Sequence, residues 1–146
     1  MSKSKRMLPA ALLAAGGMLF ATAPAAQAET SAVSAQAAAC TTQGQLRSCY
    51  EEISPTTHRL DVYWNSAYVG SGELTRNGAN RYHLTVCHVG VSSVRFGIQV
   101  GSDHFYDGLG GSCYHRDFNY AITNWRGEVA HEGGTSYTPY YPAPTG

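Results

Sequence analysis

The stretch Arg81-Tyr82-His83-Leu84-Thr85-Val86-Cys87-His88-Val89 sets Tyr82, Leu84 and Val86 on one side of an extended chain and His83, Thr85 and Cys87 on the other. A period of two is what a half-buried strand requires, because successive side chains point to opposite faces of a sheet. A helix would repeat its apolar residues every three or four positions instead. The same alternation runs through residues 58–64, HRLDVYW, where Leu60, Val62 and Trp64 share a face against Arg59, Asp61 and Tyr63. It is cleanest where Val94, Phe96, Ile98 and Val100 interleave with Arg95, Gly97 and Gln99. Phe118, Tyr120 and Ile122, set against Asn119, Ala121 and Thr123, predict one more strand.

Turn chemistry separates these runs. Asn65-Ser66 and Asn77-Gly78 are predicted turns, and between them AYVGSGELTR, residues 67–76, carries two glycines that suggest an edge strand or a bulge. Short alternating strands divided by Gly, Asn and Ser turns predict an all-β fold, a small antiparallel β-sandwich of immunoglobulin-like or barrel-like form. The tail GGTSYTPYYPAPTG, residues 133–146, holds Pro139, Pro142 and Pro144 and is expected to be extended or polyproline-like, outside the core.

The chain begins with Lys3, Lys5 and Arg6, continues through an apolar run from Leu8 to Phe20 and reaches small residues at Ala26-Gln27-Ala28. This is the layout of a secretory signal peptide over residues 1–28, and the run is shorter than the roughly 20 residues that span a bilayer. Cleavage after Ala28 would leave Glu29–Gly146, with seven arginines against ten acidic residues. A net charge of −3 leaves no basic patch for nucleic acid or anionic lipid. The expected organisation is a flexible segment at 29–39, a disulfide-stapled β domain at 40–132 and the Pro/Tyr-rich tail at 133–146. No membrane span is expected, and the expected location is extracellular.

Cys40, Cys49, Cys87 and Cys113 are even in number and all lie in the exported part, which predicts two disulfides. Three connectivities are open. Cys40 with Cys49 closes a short local loop, and Cys87 with Cys113 joins two segments of the β-rich half, so this pairing is favoured. A lipid anchor at Cys40 is disfavoured, because Ala37-Ala38-Ala39 lacks a large aliphatic residue and lies well past the apolar run.

The residues offer little for catalysis. CYHRDFNY, residues 113–120, resembles the C-x-R-H-D-F-x-Y helix motif of secreted bacterial phospholipases of the type A-two class, in which a histidine activates water beside a calcium-holding aspartate. Arg116 stands where that histidine would be, and a guanidinium that stays protonated is no general base. A disulfide cysteine followed by a turn and a strand is the expected structure instead. His83 and His88 fall on opposite faces of one strand and cannot share a metal there. Asp103-His104 reads as a turn, and Glu51-Glu52 as a solvated pair. No enzyme, cofactor or metal is expected.

Aromatic residues are plentiful, with ten tyrosines and two tryptophans. Tyrosine, tryptophan and arginine are enriched in binding hot spots, so the expected partner is another secreted protein. Tyr63, Tyr68, Trp125 and Arg126 are the candidate contacts. Val33 and Ala35 are candidates in the small-residue segment, which is expected to add as an extended strand to a partner's sheet edge.

RYHLTVCHVGVSSVRFGIQV and DGLGGSCYHRDFNYAI together resemble small exported two-disulfide β-proteins of actinobacteria over roughly residues 58–130. Within that circle the resemblance implies an adaptor subunit of umbrella toxin particles, linking a lectin to a toxin stalk. The alternative it implies is an inhibitor of a secreted hydrolase, as in the tendamistat-like α-amylase inhibitors. Their Trp-Arg-Tyr triplet between the first two cysteines is missing here, where TTQGQLRS stands, and Trp125-Arg126-Gly127 lies beyond the last cysteine. A carbohydrate-binding module ranks after these.

Overall fold

A computed structural model describes residues 38–90, 93–106 and 112–146, with the backbone alone described for Asp103–Tyr106. Residues 33 and 35 lie outside the described set, so the expectation for Val33 and Ala35 is not addressed by it. Five consecutive strands form a meander: β1 Ala39–Gln43, β2 Leu46–Ser54, β3 Thr57–Trp64, β4 Ala67–Gly78 and β5 Arg81–His88. The chain then leaves this sheet for β6 Arg95–Val100 and β7 Asp103–Tyr106. It returns for β8 Cys113–Phe118, then crosses again to β9 Asn124–His131, β10 Gly134–Tyr137 and β11 Tyr141–Pro142. One antiparallel sheet has the order β1-β2-β3-β4-β5-β8, and the other β10-β9-β6-β7 with β11 also on β9. The all-β expectation and both predicted disulfides, Cys40–Cys49 and Cys87–Cys113, are present.

The core fills the space between the sheets. Leu60, Val62, Val69, Leu74, Leu84 and Val86 from the larger sheet meet Phe96, Ile98, Val100, Trp125 and Val129 from the smaller one, all at most 1% exposed. These include Leu60 and Val62 on β3, Leu84 and Val86 on β5 and Phe96, Ile98 and Val100 on β6, which the period of two set on one face, whereas Trp64, on the same predicted face of β3, is only half-buried.

Asn65 and Ser66 both adopt positive φ, 49° and 67°, and close a two-residue hairpin in which Trp64 faces Ala67. That geometry twists in the sense of the flanking strands. The second turn differs from expectation. Gly78 still pairs with Arg81, so the chain reverses at Ala79-Asn80, and Asn77 falls in the register shift between Arg76 and Gly78.

β4 is central, flanked by β3 and β5. Its expected bulge exists, since Val62 faces Gly70 while Tyr63 faces Tyr68. Its glycines mark close approach of the second sheet and not an edge. A Cβ on Gly70 would lie 2.5 Å from Phe96 Cδ1, and one on Gly72 would lie 2.6 Å from Ile98 Cδ1. Either distance is far inside van der Waals contact, so the absence of a side chain sets the sheet spacing here.

Three further expectations are corrected. The strand of CYHRDFNY begins at Cys113 itself and ends at Phe118, with no intervening turn. Phe118 and Ile122 are buried as their spacing suggested, but residues 119–123 are not strand and Tyr120 is 44% exposed. Gln99 is 8% exposed and Gly97 is buried, so β6 is covered on both faces.

The tail is not outside the core. β10 and β11 form an interrupted edge strand along β9, and Thr138 N–H and Ala143 N–H donate to the carbonyls of Gly127 and Thr123. Ala143 and Pro144 are buried. Proline suits this position because an edge strand leaves one side of its backbone unpaired.

Candidate protein-binding face

The outer face of the larger sheet is built by register. Arg47 faces Tyr63, and Tyr63 faces Tyr68. In the next outward-facing row Cys49, Asp61 and Ser71 follow one another, and in the row after it Glu51, Arg59 and Glu73. Three neighbouring strands therefore present a continuous array with the Cys40–Cys49 bridge at its margin.

Its first row is aromatic and cationic. The Tyr63 and Tyr68 rings lie 5.4 Å apart at 59°, and the Arg47 guanidinium carbon sits 5.2 Å from the Tyr63 centroid. Arg47 is exposed and the two tyrosines are half-buried. Below them Arg59 Nε donates to Asp61 Oδ1 at 3.0 Å. That hydrogen bond, opposed by partial burial and aided by the Asp61 and Tyr68 neighbours, holds Arg59 protonated beyond its ordinary range. Arg47 thus lies over the Tyr63 ring and Arg59 beside Tyr68 and Asp61, a pairing of arginine with tyrosine suited to protein contacts.

Further along the same face, β5 and β8 carry a polar cluster. His83 Nδ1 and Asp117 Oδ1 are 2.7 Å apart, His115 Nδ1 and Thr85 Oγ1 are 3.1 Å apart, and the two imidazoles stack at 5.7 Å. The histidine and aspartate of CYHRDFNY therefore bond across the sheet to different residues. The motif is an edge strand and not a helix, and the Asp117 side chain is 78% exposed. Among the described residues no three His, Cys, Asp or Glu side chains converge as metal ligands.

Of the candidate contacts, Tyr63 and Tyr68 come together as cross-strand neighbours. Trp125 does not join them. Its ring is fully buried between the sheets and its Nε1 donates to the Pro142 carbonyl at 3.2 Å, so it is core and not contact surface. A tryptophan preceding an arginine on a strand must face away from it, and here the apolar ring took the inner side. Arg126 lies on the outer face of the smaller sheet, between the rings of Tyr137 at 3.9 Å and Tyr140 at 4.4 Å, with Nε donating to Gln99 Oε1 at 2.6 Å. It is spent on holding the C-terminal segment.

Arg47 was missed by sequence reasoning. Nothing local marks it, because its place beside Tyr63 follows from the β2–β3 register alone. A second group was missed for the same reason. The Tyr50 and Tyr141 rings stack at 4.7 Å, Tyr50 Oη lies 2.7 Å from His58 Nδ1, and Ser48 Oγ lies 2.7 Å from Tyr141 Oη. Burial, and then the neighbouring Glu52 carboxylate, push the Tyr50 phenol far above its ordinary range.

Comparison of the chain with protein-family models, with curated proteins and with solved structures returned no match.

Proposed function

We propose that this chain is a secreted, non-catalytic protein-binding module, acting as an adaptor subunit of an extracellular toxin assembly and docking through the outer face of its larger sheet. One observation carries the docking reading: Arg47, Tyr63 and Tyr68 form a single preorganised cluster on three hydrogen-bonded strands. Tyrosine rings have only two side-chain torsions to fix on binding, and the Tyr63 ring beneath Arg47 gives its guanidinium a position before a partner arrives. The partner surface that fits would present apolar side chains to the two rings and a carboxylate to Arg47.

The compartment reading is supported by two disulfides in a small domain, which persist where the environment is oxidising, and by the signal-like residues 1–28. The adaptor assignment rests on the resemblance over residues 58–130.

The test is capture of partners by the tagged secreted protein in its own culture supernatant, read by mass spectrometry beside a Tyr63→Ala/Tyr68→Ala variant. A large multidomain toxin recovered with a lectin, and lost with the variant, is the expected result. A single hydrolase in their place would replace the adaptor with an inhibitor. Equal capture by the variant would move binding off this face.

A further inference from the structure

At the opposite end of the same sheet, three strand ends leave a shallow cleft of about 600 Å³ lined by Asn77, Gly78, Ala79, Asn80, Arg81 and Asn119. Its origin is topological. Asn77 sits in the bulge of β4, Ala79-Asn80 makes the turn, and β5–β8 pairing stops at Tyr82 and Phe118. Arg81, the first residue of β5, and Asn119, just past the end of β8, lie beyond the last β5–β8 pair and both line the cleft.

Four of the six lining residues carry polar side chains, the other two being Gly78 and Ala79. Three carboxamides and one guanidinium are exposed here, and no hydrogen bond to another described residue engages any of their side chains. Each carboxamide offers two donors and two acceptor sites, and the guanidinium offers five donors in a planar fork. The turn beneath them is held in place, because Arg76 donates through Nη2 to the Ala79 carbonyl at 3.5 Å and through Nη1 to the Thr145 carbonyl. The cleft is thus a supported surface carrying unspent polar groups.

We propose that this cleft binds an acidic saccharide, with the carboxylate of a uronic acid unit on Arg81 and its vicinal hydroxyls on Asn77, Asn80 and Asn119. The chemistry selects the class. A peptide side chain or drug-like ligand needs apolar walls, and Ala79 is the single apolar side chain in the lining. A nucleic acid needs several cations along a path, and the cleft has one. A polyhydroxylated ring with one carboxylate matches a site of many paired donors and acceptors and one fixed charge. An open, wet site of this kind gives weak binding, on the order of millimolar for one or two sugar units. This site is separate from the Arg47–Tyr63–Tyr68 face and does not depend on it.

The test is two-dimensional NMR titration of the secreted protein with an oligogalacturonate tetramer and, in parallel, with its fully methyl-esterified form. Saturable shifts centred on residues 77–81 and 119, at least about tenfold weaker for the ester, are expected. Arg81→Gln should weaken binding of the acid by a similar factor and leave the ester unchanged, and Asn119→Ala should weaken both. All these residues are exposed, and a thermal melt of each variant checks that the fold is retained. Equal affinity for acid and ester would overturn the role of Arg81. No shift at these residues up to about tenfold above the millimolar range, or shifts centred elsewhere, would overturn the site.

Discussion

The two outer faces of this sandwich are made from strands of similar composition and meet opposite fates. On the larger sheet, β3 and β5 bury one side chain in two and leave the alternate ones half-exposed. On the smaller sheet, β6 is buried at every position after Arg95, and Gln99 and Glu128 are 8% and 3% exposed although both are polar. The difference comes from the C-terminal segment. It runs along β9 and lays Tyr137 and Tyr140 on either side of Arg126, whose Nε is bonded to Gln99. One face is closed by the chain's own tail, and the other has no such cover among the described residues. Covered polar groups need fixed partners, whereas open ones remain available.

The largest test of that contrast is to remove the cover. Deleting residues 138–146 takes away Ala143 and Pro144 from the core and the carbonyl that accepts from Trp125. It also removes Tyr141, which stacks on Tyr50 and bonds Ser48. Losses of this kind sum to several kcal/mol, roughly 3–5 by the cost of large core truncations. A fall of about 15 °C or more in thermal midpoint is expected, and a shift under about 5 °C would mean that the tail is a passive appendage.

A narrower test is Arg126→Ala, which empties the space between the two rings and removes the shorter of the two donors to Gln99 Oε1, the other being the Tyr140 hydroxyl at 3.5 Å. The expected cost is about 1–2 kcal/mol in denaturant unfolding, from one partly desolvated cation–π pair and one hydrogen bond. Arg47→Ala on the open face should cost less than about 0.5 kcal/mol, because surface substitutions rarely exceed that. Equal losses at the two arginines would erase the distinction between the faces.

Alkaline pH probes the seam beneath the tail. The Tyr50 phenol is raised in the folded protein, chiefly by burial and then by Glu52, so folding favours its neutral form. Its contribution is complete below the ordinary phenol range near pH 10 and is lost as pH rises through and above it. Stability measured from pH 8 to 11.5 should decline at the alkaline end, and Tyr50→Phe should make that decline shallower. An unchanged slope in the variant would show that other tyrosines carry the effect.

What was legible beforehand follows the same contrast. Strands with one open face, such as β3 and β5, wrote their burial into the sequence as alternation, and the cysteine pairing was legible from the short loop between Cys40 and Cys49 and from the β-rich segments that hold Cys87 and Cys113. The tail hid its role because prolines and tyrosines read alike in a loose extension and in a capping edge strand; only pairing with β9 separates them. The Asn77-Gly78 turn slipped because a bulge absorbed the asparagine, and a bulge depends on the partner strand. Trp125 and Arg126 were legible as an important pair, but which one faced inward depended on the register of β9. Arg47 joined the tyrosines through register alone.

The smallest expected effect on stability is also the one that bears most on function. Tyr63 and Tyr68 are half-buried cross-strand neighbours on the open face, so truncating both removes one ring pair and the platform under Arg47. Cross-strand pairs contribute roughly 0.2–1 kcal/mol, and the inward residues Leu60, Val62 and Val69 stay in place, so the melt of Tyr63→Ala/Tyr68→Ala should fall by no more than a few degrees. Partner capture should fall at least about tenfold, because two aromatic side chains at a docking centre commonly carry about 2 kcal/mol or more between them. Tyr63→Phe/Tyr68→Phe keeps the ring stack and removes only the hydroxyls, and it should recover most of that capture if ring area is what the partner reads. A melt that collapses in the alanine pair would make these rings structural, on a par with Tyr50 and Tyr141. An intact melt with undiminished capture would leave the open face a solvated surface and place docking elsewhere on the molecule.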